Sequence, residues 1–246
     1  MITSVGGFVN PGRVQRIGTI MVQAPEAASE RRLMTEVVAK ELLRAQGIPV
    51  VATSLARSST AAVRLAKALG LPVALKIVSP HVIHKSEVGG VRLQVTSLAQ
   101  VSRAYGEIVA TVRARMPEAV IEGVSVQPMA KAGIEVVAGL THDRTFGPVV
   151  MFGLGGLFVE VLNDVVFRVV PLRPRDARAM LREVRGFPTL QGFRGAPPVD
   201  LGALEDILLK LSDLAEQRSD LREIDLNPIF AYPMGAVAVD ARILLA

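Results

Sequence analysis

The sequence predicts an α/β (α+β) fold built as two lobes. Three observations carry this. Strand-like and helix-like segments alternate through the first half of the chain. A mostly strand-like region follows, and the chain then ends in two helices and a strand hairpin. A single doubly wound sheet would alternate throughout, so the mixed order argues for separate layers. Pro128 interrupts the strand-like run "VSVQPM" and marks a lobe boundary near Gln127–Pro128. The expected division is a tail or linker at 1–26, a first lobe at 27–126 and a second at 127–246.

Taken in order, the first 26 residues show no clear period and read as a tail. "SERRLMTEVVAKELLRAQG" reads as a helix, with Ser29 as cap, Leu33, Val37, Leu42 and Leu43 as apolar face, and Gly47 as stop. "IPVVATSLA" is extended, and "SSTAAVRLAKALGLP" is a second helix with Ser58 or Ser59 near its cap. "VALKIVS" and "VRLQVT" are strands around a Gly-Gly turn, as in a hairpin. "SLAQVSRAYGEIVATVRARMP" is a third helix, with Ser97 and Gln100 spaced as a capping box. "AVIEGVSVQPM", "GIEVVAGLT", "GPVVMFGL" and "VVFRVVPL" are strands. "RPRDARAMLREVRG" and "DLGALEDILLKLSDLAEQ" are helices, and "REIDLNPIFAYP" and "GAVAVDARILLA" form the closing hairpin.

Composition bounds the function. A chain of 246 residues with 50% hydrophobic content buries a large core without disulfide or metal staples. There is no cysteine, which excludes disulfides, cysteine-ligated zinc and thiol catalysis. The net charge is +5 and the pI about 10.0, but the basic residues are scattered and aromatics are only 4%. That pattern does not point to nucleic acid. No apolar run approaches the ~18 residues of a membrane helix, and the N-terminus lacks a signal-peptide core, so a cytoplasmic protein is expected.

Several residues do not fit a pure core. Lys76 stands alone in "VALKIV", where a buried charge is costly unless paired. It either points to solvent from a half-buried strand or into a ligand cleft to meet an anion. Arg168 in "VVFRVVP" poses the same choice, with an edge strand as the alternative. Glu135 and Glu160 are acids in apolar runs. "HKSEVGGV" places His84 and Lys85 beside Gly89 and Gly90. Glycine lets backbone N–H groups approach phosphate, and lysine adds a point charge. The segment is no Walker loop, and Gly-Gly at a hairpin is often only a turn. "GLGG" at 153–156 is equally weak alone. His81 and His84 lack a third partner for zinc. In "EIDLNPIF" the alternation places Glu223, Asp225 and Asn227 on one face of a strand, with Asp240 in the partner strand. Such oxygen donors suit Mg²⁺, which takes one or two protein ligands plus nucleotide phosphates. A polar outward face on an edge hairpin is the plainer alternative.

At these residues the chain resembles the ATP-grasp fold, in the form of the β subunit or β-like domain of ADP-forming acyl-CoA synthetases (acetate–CoA ligase, ADP-forming), relatives of succinyl-CoA synthetase. The resemblance is carried by "AKELLRAQGIPV", "LPVALKIVSPHVIHKSEVGGVRL", the long "VSVQPM…FRVVPL" stretch and "EIDLNPIF…VAVDARI". It implies that Lys76, with Lys85, contacts nucleotide phosphate, and that Gly89 and Gly90 close over the phosphates. Gln127, Pro128 and Met129 would form the hinge that meets adenine, with Glu135 just beyond. Asn227 and Asp240 would hold Mg²⁺, with Asp225 close by. His84 would carry a phosphoryl group to ADP in the reaction acyl-CoA + ADP + phosphate ⇌ carboxylic acid + CoA + ATP. The CoA-binding part has no place in this length of chain. A CoA-binding α subunit, or a fused α domain, is therefore the expected partner in a hetero-oligomer. Two other readings share the nucleotide site: a different ATP-grasp carboxylate ligase, and a nucleotide-sensing module without transfer chemistry.

Overall fold

The computed structural model describes residues 15–17, 20–22, 32–156 and 164–246. The elements, in order, are β1 (Gln15–Ile17), β2 (Ile20–Val22), β3 (Arg32–Leu33), α1 (Glu36–Ala45), β4 (Ser54–Ala56), α2 (Ser59–Leu69), β5 (Val73–Val78), β6 (Val91–Val95), α3 (Leu98–Arg115), β7 (Gly123–Pro128), β8 (Ile134–Asp143), β9 (Gly147–Leu154) and β10 (Val165–Val169). They continue with α4 (Pro174–Glu183), α5 (Phe187–Leu190), α6 (Leu201–Gln217), β11 (Leu221–Ala231), β12 (Ala236–Ala238) and β13 (Arg242–Leu245). No described helix is long and apolar enough to cross a membrane. Ser29 and Glu160 lie outside the described residues.

Two sheets organise the molecule. The smaller has the order β4-β7-β5-β6 and is antiparallel. Its alternation is easy to follow along β5. Val73, Leu75 and Ile77 join Val124 and Val126 of β7 in a core with Ala62 and Ala66 of α2 and Val101, Ala104, Ile108 and Val112 of α3. Ala74, Lys76 and Val78 therefore point to the other face, where Ser125 and Gln127 stand opposite Lys76 and Ala74. Every residue of β5 is buried. The uninterrupted apolar run "VALKIV" is thus a strand covered on both sides, and Lys76 is the one charge on its inner face.

The larger sheet follows β10-β9-β8-β11-β13-β3, with β12 paired to β11. Val136, Ala138, Leu140, Val150, Phe152, Ile224 and Leu226 face a core closed by α4, α5 and α6. Asp200 caps α6 by accepting from the Ala203 N–H, as the residue type favours. Its second oxygen accepts from the Gly235 N–H and so ties α6 to the β11–β12 turn.

The structure differs from the sequence expectations at five points. Helix α1 begins after Thr35, because the segment expected to open it forms β3, which pairs with β13. Both α1 and β3 fall within 27–126 yet belong to the large sheet: Ala39 and Leu43 lie in its core. The proposed boundary also cuts β7, whose Gln127 and Pro128 still pair with Ala74 and Val73. Within the expected tail, β1 and β2 form a short antiparallel hairpin. Ser97 caps α3 as expected, but Gln100 turns its side chain to Thr96, one residue earlier than a capping box requires.

Candidate active site

The inner face of the small sheet meets the hairpin end of the large one at a buried charge cluster. Its centre is Glu36, the first residue of α1. One carboxylate oxygen, Oε1, accepts from Lys40 and from Lys76, each at 2.8 Å. The other, Oε2, faces Lys85 at 3.3 Å. Asp240 engages two of these three lysines, at 3.1 Å from Lys76 and 3.8 Å from Lys85. The Lys40 ammonium also donates to Thr53 Oγ1, Gln127 Oε1 and the Val239 carbonyl.

These contacts set the protonation states. Burial would push the Glu36 carboxyl up, but Lys76, Lys40 and Lys85 outweigh it and hold it well below the usual carboxylate range. Burial pulls Lys76 down, yet Asp240 and Glu36 outweigh that and raise it. Lys40 is lowered, chiefly by burial and further by Lys76.

Beside the cluster opens a cleft of about 370 Å³. His84 and Lys85 line one side; Asp225, Asn227, Asp240 and Arg242 line the other. His84 is exposed. The chain around it is pinned: the Gly90 N–H bonds to the Lys85 carbonyl at 2.7 Å, and Arg115 donates to the Glu87 carbonyl at 2.6 Å. Across the cleft, burial, Glu223 and Asp240 push Asp225 up to about 7 against the pull of Arg242. Asp225 is thus biased toward its neutral form until a cation offsets its neighbours. The donors of this acidic side are all oxygen, and Asp240 and Asn227 share one wall. That set fits Mg²⁺ bound through one or two protein oxygens. Among the described residues, no group of three His, Cys, Asp or Glu side chains forms a closed metal cage.

The other expected residues are placed as follows. Gly89 and Gly90 shape the loop. Gly89 adopts φ +71, and a Cβ there would stand 2.9 Å from Thr111 Cγ2. A Cβ on Gly90 would meet Ile77 at 2.5 Å. Their N–H groups bond to the Ser86 and Lys85 carbonyls. The connection between β5 and β6 spans residues 79–90 and is no tight Gly-Gly turn. The Gln127 side chain is engaged by Lys40, and the Met129 N–H bonds to the Pro72 carbonyl. Pro128 closes β7 opposite Val73. Gln127, Pro128, Met129 and Glu135 do not line the cleft that holds His84. Glu135 is exposed on β8, and its carbonyl accepts from Gly155 of the second glycine turn. His81 is structural, its Nδ1 accepting from the Val120 N–H at 3.0 Å. Arg168 lies on the edge strand β10 and pairs with Glu183.

Glu36, Lys40 and Thr53 were not anticipated. A signal existed for the first two. Glu36, Ala39, Lys40 and Leu43 form the i, i+3, i+4, i+7 stripe of α1, so both charges fall on its buried face.

Residues 26–245 match the family model described as an ATP-grasp domain. The chain belongs to the ATP-grasp family. It is 45% identical over 220 residues to the β subunit of ADP-forming acetate–CoA ligase I of Pyrococcus furiosus, covering 89% of this chain and 95% of that one. It is also 45% identical over 204 residues to ADP-forming acetate–CoA ligase I of Archaeoglobus fulgidus, covering 83% of this chain and 30% of that protein. Among solved structures it is similar to dinucleotide-forming acetyl-coenzyme A synthetase 1 of Ca. Korarchaeum cryptofilum, in complex with coenzyme A, Ca-AMPCP and HgCl+. There the TM-score is 0.85 at 46% identity, over 87% of this chain and 94% of that one. The ATP-grasp module is thus matched both by a separate β subunit and by part of a longer ligase.

Proposed function

We propose that this chain is the nucleotide-binding subunit of an ADP-forming acyl-CoA synthetase, passing a phosphoryl group between His84 and ADP. The observation that carries the reading is the convergence of His84, Lys85, Asn227 and Asp240 around one cleft between the two sheets, with Lys76 behind it in contact with Asp240. Lys85 lines the cleft as a cation that phosphate can meet, with Lys76 beside it on Asp240 and Glu36.

The roles follow from position. Lys76 and Lys85 attract the nucleotide phosphates. Asp240 and Asn227, with Asp225 nearby, would hold Mg²⁺, which when bound neutralises charge on the phosphate oxygens. A Korarchaeum relative solved with Ca-AMPCP supports a nucleotide with a divalent cation. His84 supplies an imidazole nitrogen that attacks the phosphorus of a phosphoryl donor formed on the α subunit; the P–N bond forms as the donor's own bond to phosphorus breaks and the donor leaves. An ADP β-phosphate oxygen then attacks phosphorus as the P–N bond breaks, giving ATP and free imidazole. Gln127 to Met129 remain the proposed hinge beside the adenine. A CoA-binding α subunit would supply acyl-CoA and phosphate chemistry, so the working assembly is a cytoplasmic hetero-oligomer.

Co-expression with the α subunit tests the reading. Incubation with acetyl-CoA, phosphate and Mg-ADP is expected to yield ATP, and quenched enzyme should carry acid-labile phosphate that His84→Ala reduces. ATP formation undiminished in His84→Ala would remove His84 from the transfer. A ligase joining carboxylate to amine would instead turn over without CoA.

A further inference from the structure

We propose that Glu36 is a positioning residue, whose buried carboxylate holds the Lys76 and Lys85 ammonium groups toward the nucleotide phosphates. The inference rests on the nucleotide reading above. It starts from a contrast between two carboxylates that share the same lysines. The Glu36 side chain is 1% exposed, whereas Asp240 is 32% exposed and lines the cleft. Asp240 can exchange its lysines for another ligand. Glu36 is fixed at the start of α1 and can exchange nothing.

The three lysines come from three places: Lys40 from the same helix, Lys76 from β5 and Lys85 from the loop after it. Lysine is a flexible stem with a point charge, so its head must be held from outside. Lys76 is held by Glu36 Oε1 at 2.8 Å. Lys85 faces Oε2 at 3.3 Å, an oxygen that is buried and has no hydrogen-bond partner. The carboxylate thereby keeps two like charges side by side, Lys85 in the cleft wall and Lys76 behind it against Asp240. Glu36 itself does not line the cleft of His84, so its action on phosphate passes through the lysines.

The test is calorimetric titration of the full chain with Mg-ADP and, separately, with adenosine, which lacks phosphate. Glu36→Gln is expected to weaken Mg-ADP binding by about tenfold or more, the scale of one charge-assisted hydrogen bond, and to leave adenosine affinity unchanged. Glu36→Asp keeps the charge one methylene further back and should recover part of the loss. Undiminished Mg-ADP affinity in folded Glu36→Gln overturns the inference, as does an equal loss for adenosine, which marks a general structural role. Where Glu36→Gln does not fold, Glu36→Asp carries the decision: selective loss of Mg-ADP affinity supports the inference, and wild-type affinity overturns it. Absence of Mg-ADP binding by the wild-type chain overturns the nucleotide reading and this inference with it.

Discussion

The Lys40 ammonium lies 2.8 Å from the Gln127 side-chain oxygen, and this contact joins the helix on the large sheet to the inner face of the small one. Lys40 is 1% exposed. Its other acceptors include the carbonyl of Val239, the residue before Asp240. One ammonium therefore ties the strand of the proposed hinge to the hairpin of the proposed metal site.

Lys40→Met should be strongly destabilising. Removing one partner of a buried ion pair commonly costs ~3–5 kcal/mol. Glu36 keeps Lys76 and Lys85 in this variant, so the lower end is expected, about 3 kcal/mol. Urea unfolding at neutral pH measures it through the midpoint. A loss below about 1 kcal/mol, the size of an ordinary substitution, would show that the contact holds nothing together.

The acid limb of stability should depend on Glu36. Its folded pKa is depressed by Lys76, Lys40 and Lys85 against the effect of burial. A depressed carboxylate contributes stability that is fully present above the unfolded value, about 4.3 for glutamate. That contribution is lost as pH falls from there toward the lower folded value. Melting temperature followed downward from pH 6 should thus fall steeply below about pH 4. Glu36→Gln should start lower and fall less steeply. Parallel curves for the two proteins would contradict the assignment.

Much of the site can be read in the sequence, and the unread part has an identifiable cause. Lys76 shows because it is the single charge in an apolar run, and the structure makes that run a strand covered on both faces. Glu223, Asp225 and Asn227 show because a strand has period two; Asp225 and Asn227 do line the cleft. The Glu36–Lys40 pair is harder to see. An acid and a base four apart on a helix is ordinarily a solvated pair, and only its register with Ala39 and Leu43 places it inside. An amphipathic helix also does not say which sheet it covers, so α1 was expected in the wrong lobe. The glycine pair suggested a phosphate cradle by composition, and its backbone closure onto Ser86 and Lys85 is not visible in residue types.

Asp200 offers a control remote from the chemistry. It caps α6 through the Ala203 N–H at 3.0 Å and holds the β11–β12 turn through the Gly235 N–H at 2.9 Å. Asp200→Ala removes both acceptors, and a loss of about 1–2 kcal/mol is expected from the cap. Denaturant unfolding should show this loss while Mg-ADP affinity stays at the wild-type value. A large drop in affinity would mean that the turn controls the site.

Asp240 should separate the metal from the nucleotide. Its carboxylate stands 3.1 Å from Lys76 and lines the cleft with Asn227, so it serves the lysines and is placed to meet a cation. Asp240→Asn keeps the shape and one oxygen but removes the charge that attracts Mg²⁺. The Mg²⁺ concentration for half-maximal ATP formation with the α subunit should rise by about tenfold or more, as expected for losing a charged ligand of a hard cation. Adenosine affinity should not change, because adenosine carries no phosphate to share the cation. Loss of Asp240 also leaves Glu36 as the remaining carboxylate on Lys76, so metal-free ADP should bind no more weakly than to the wild type. An unchanged Mg²⁺ requirement would place the cation elsewhere, and weaker metal-free ADP binding would show that Asp240 acts on the phosphates by holding Lys76 instead.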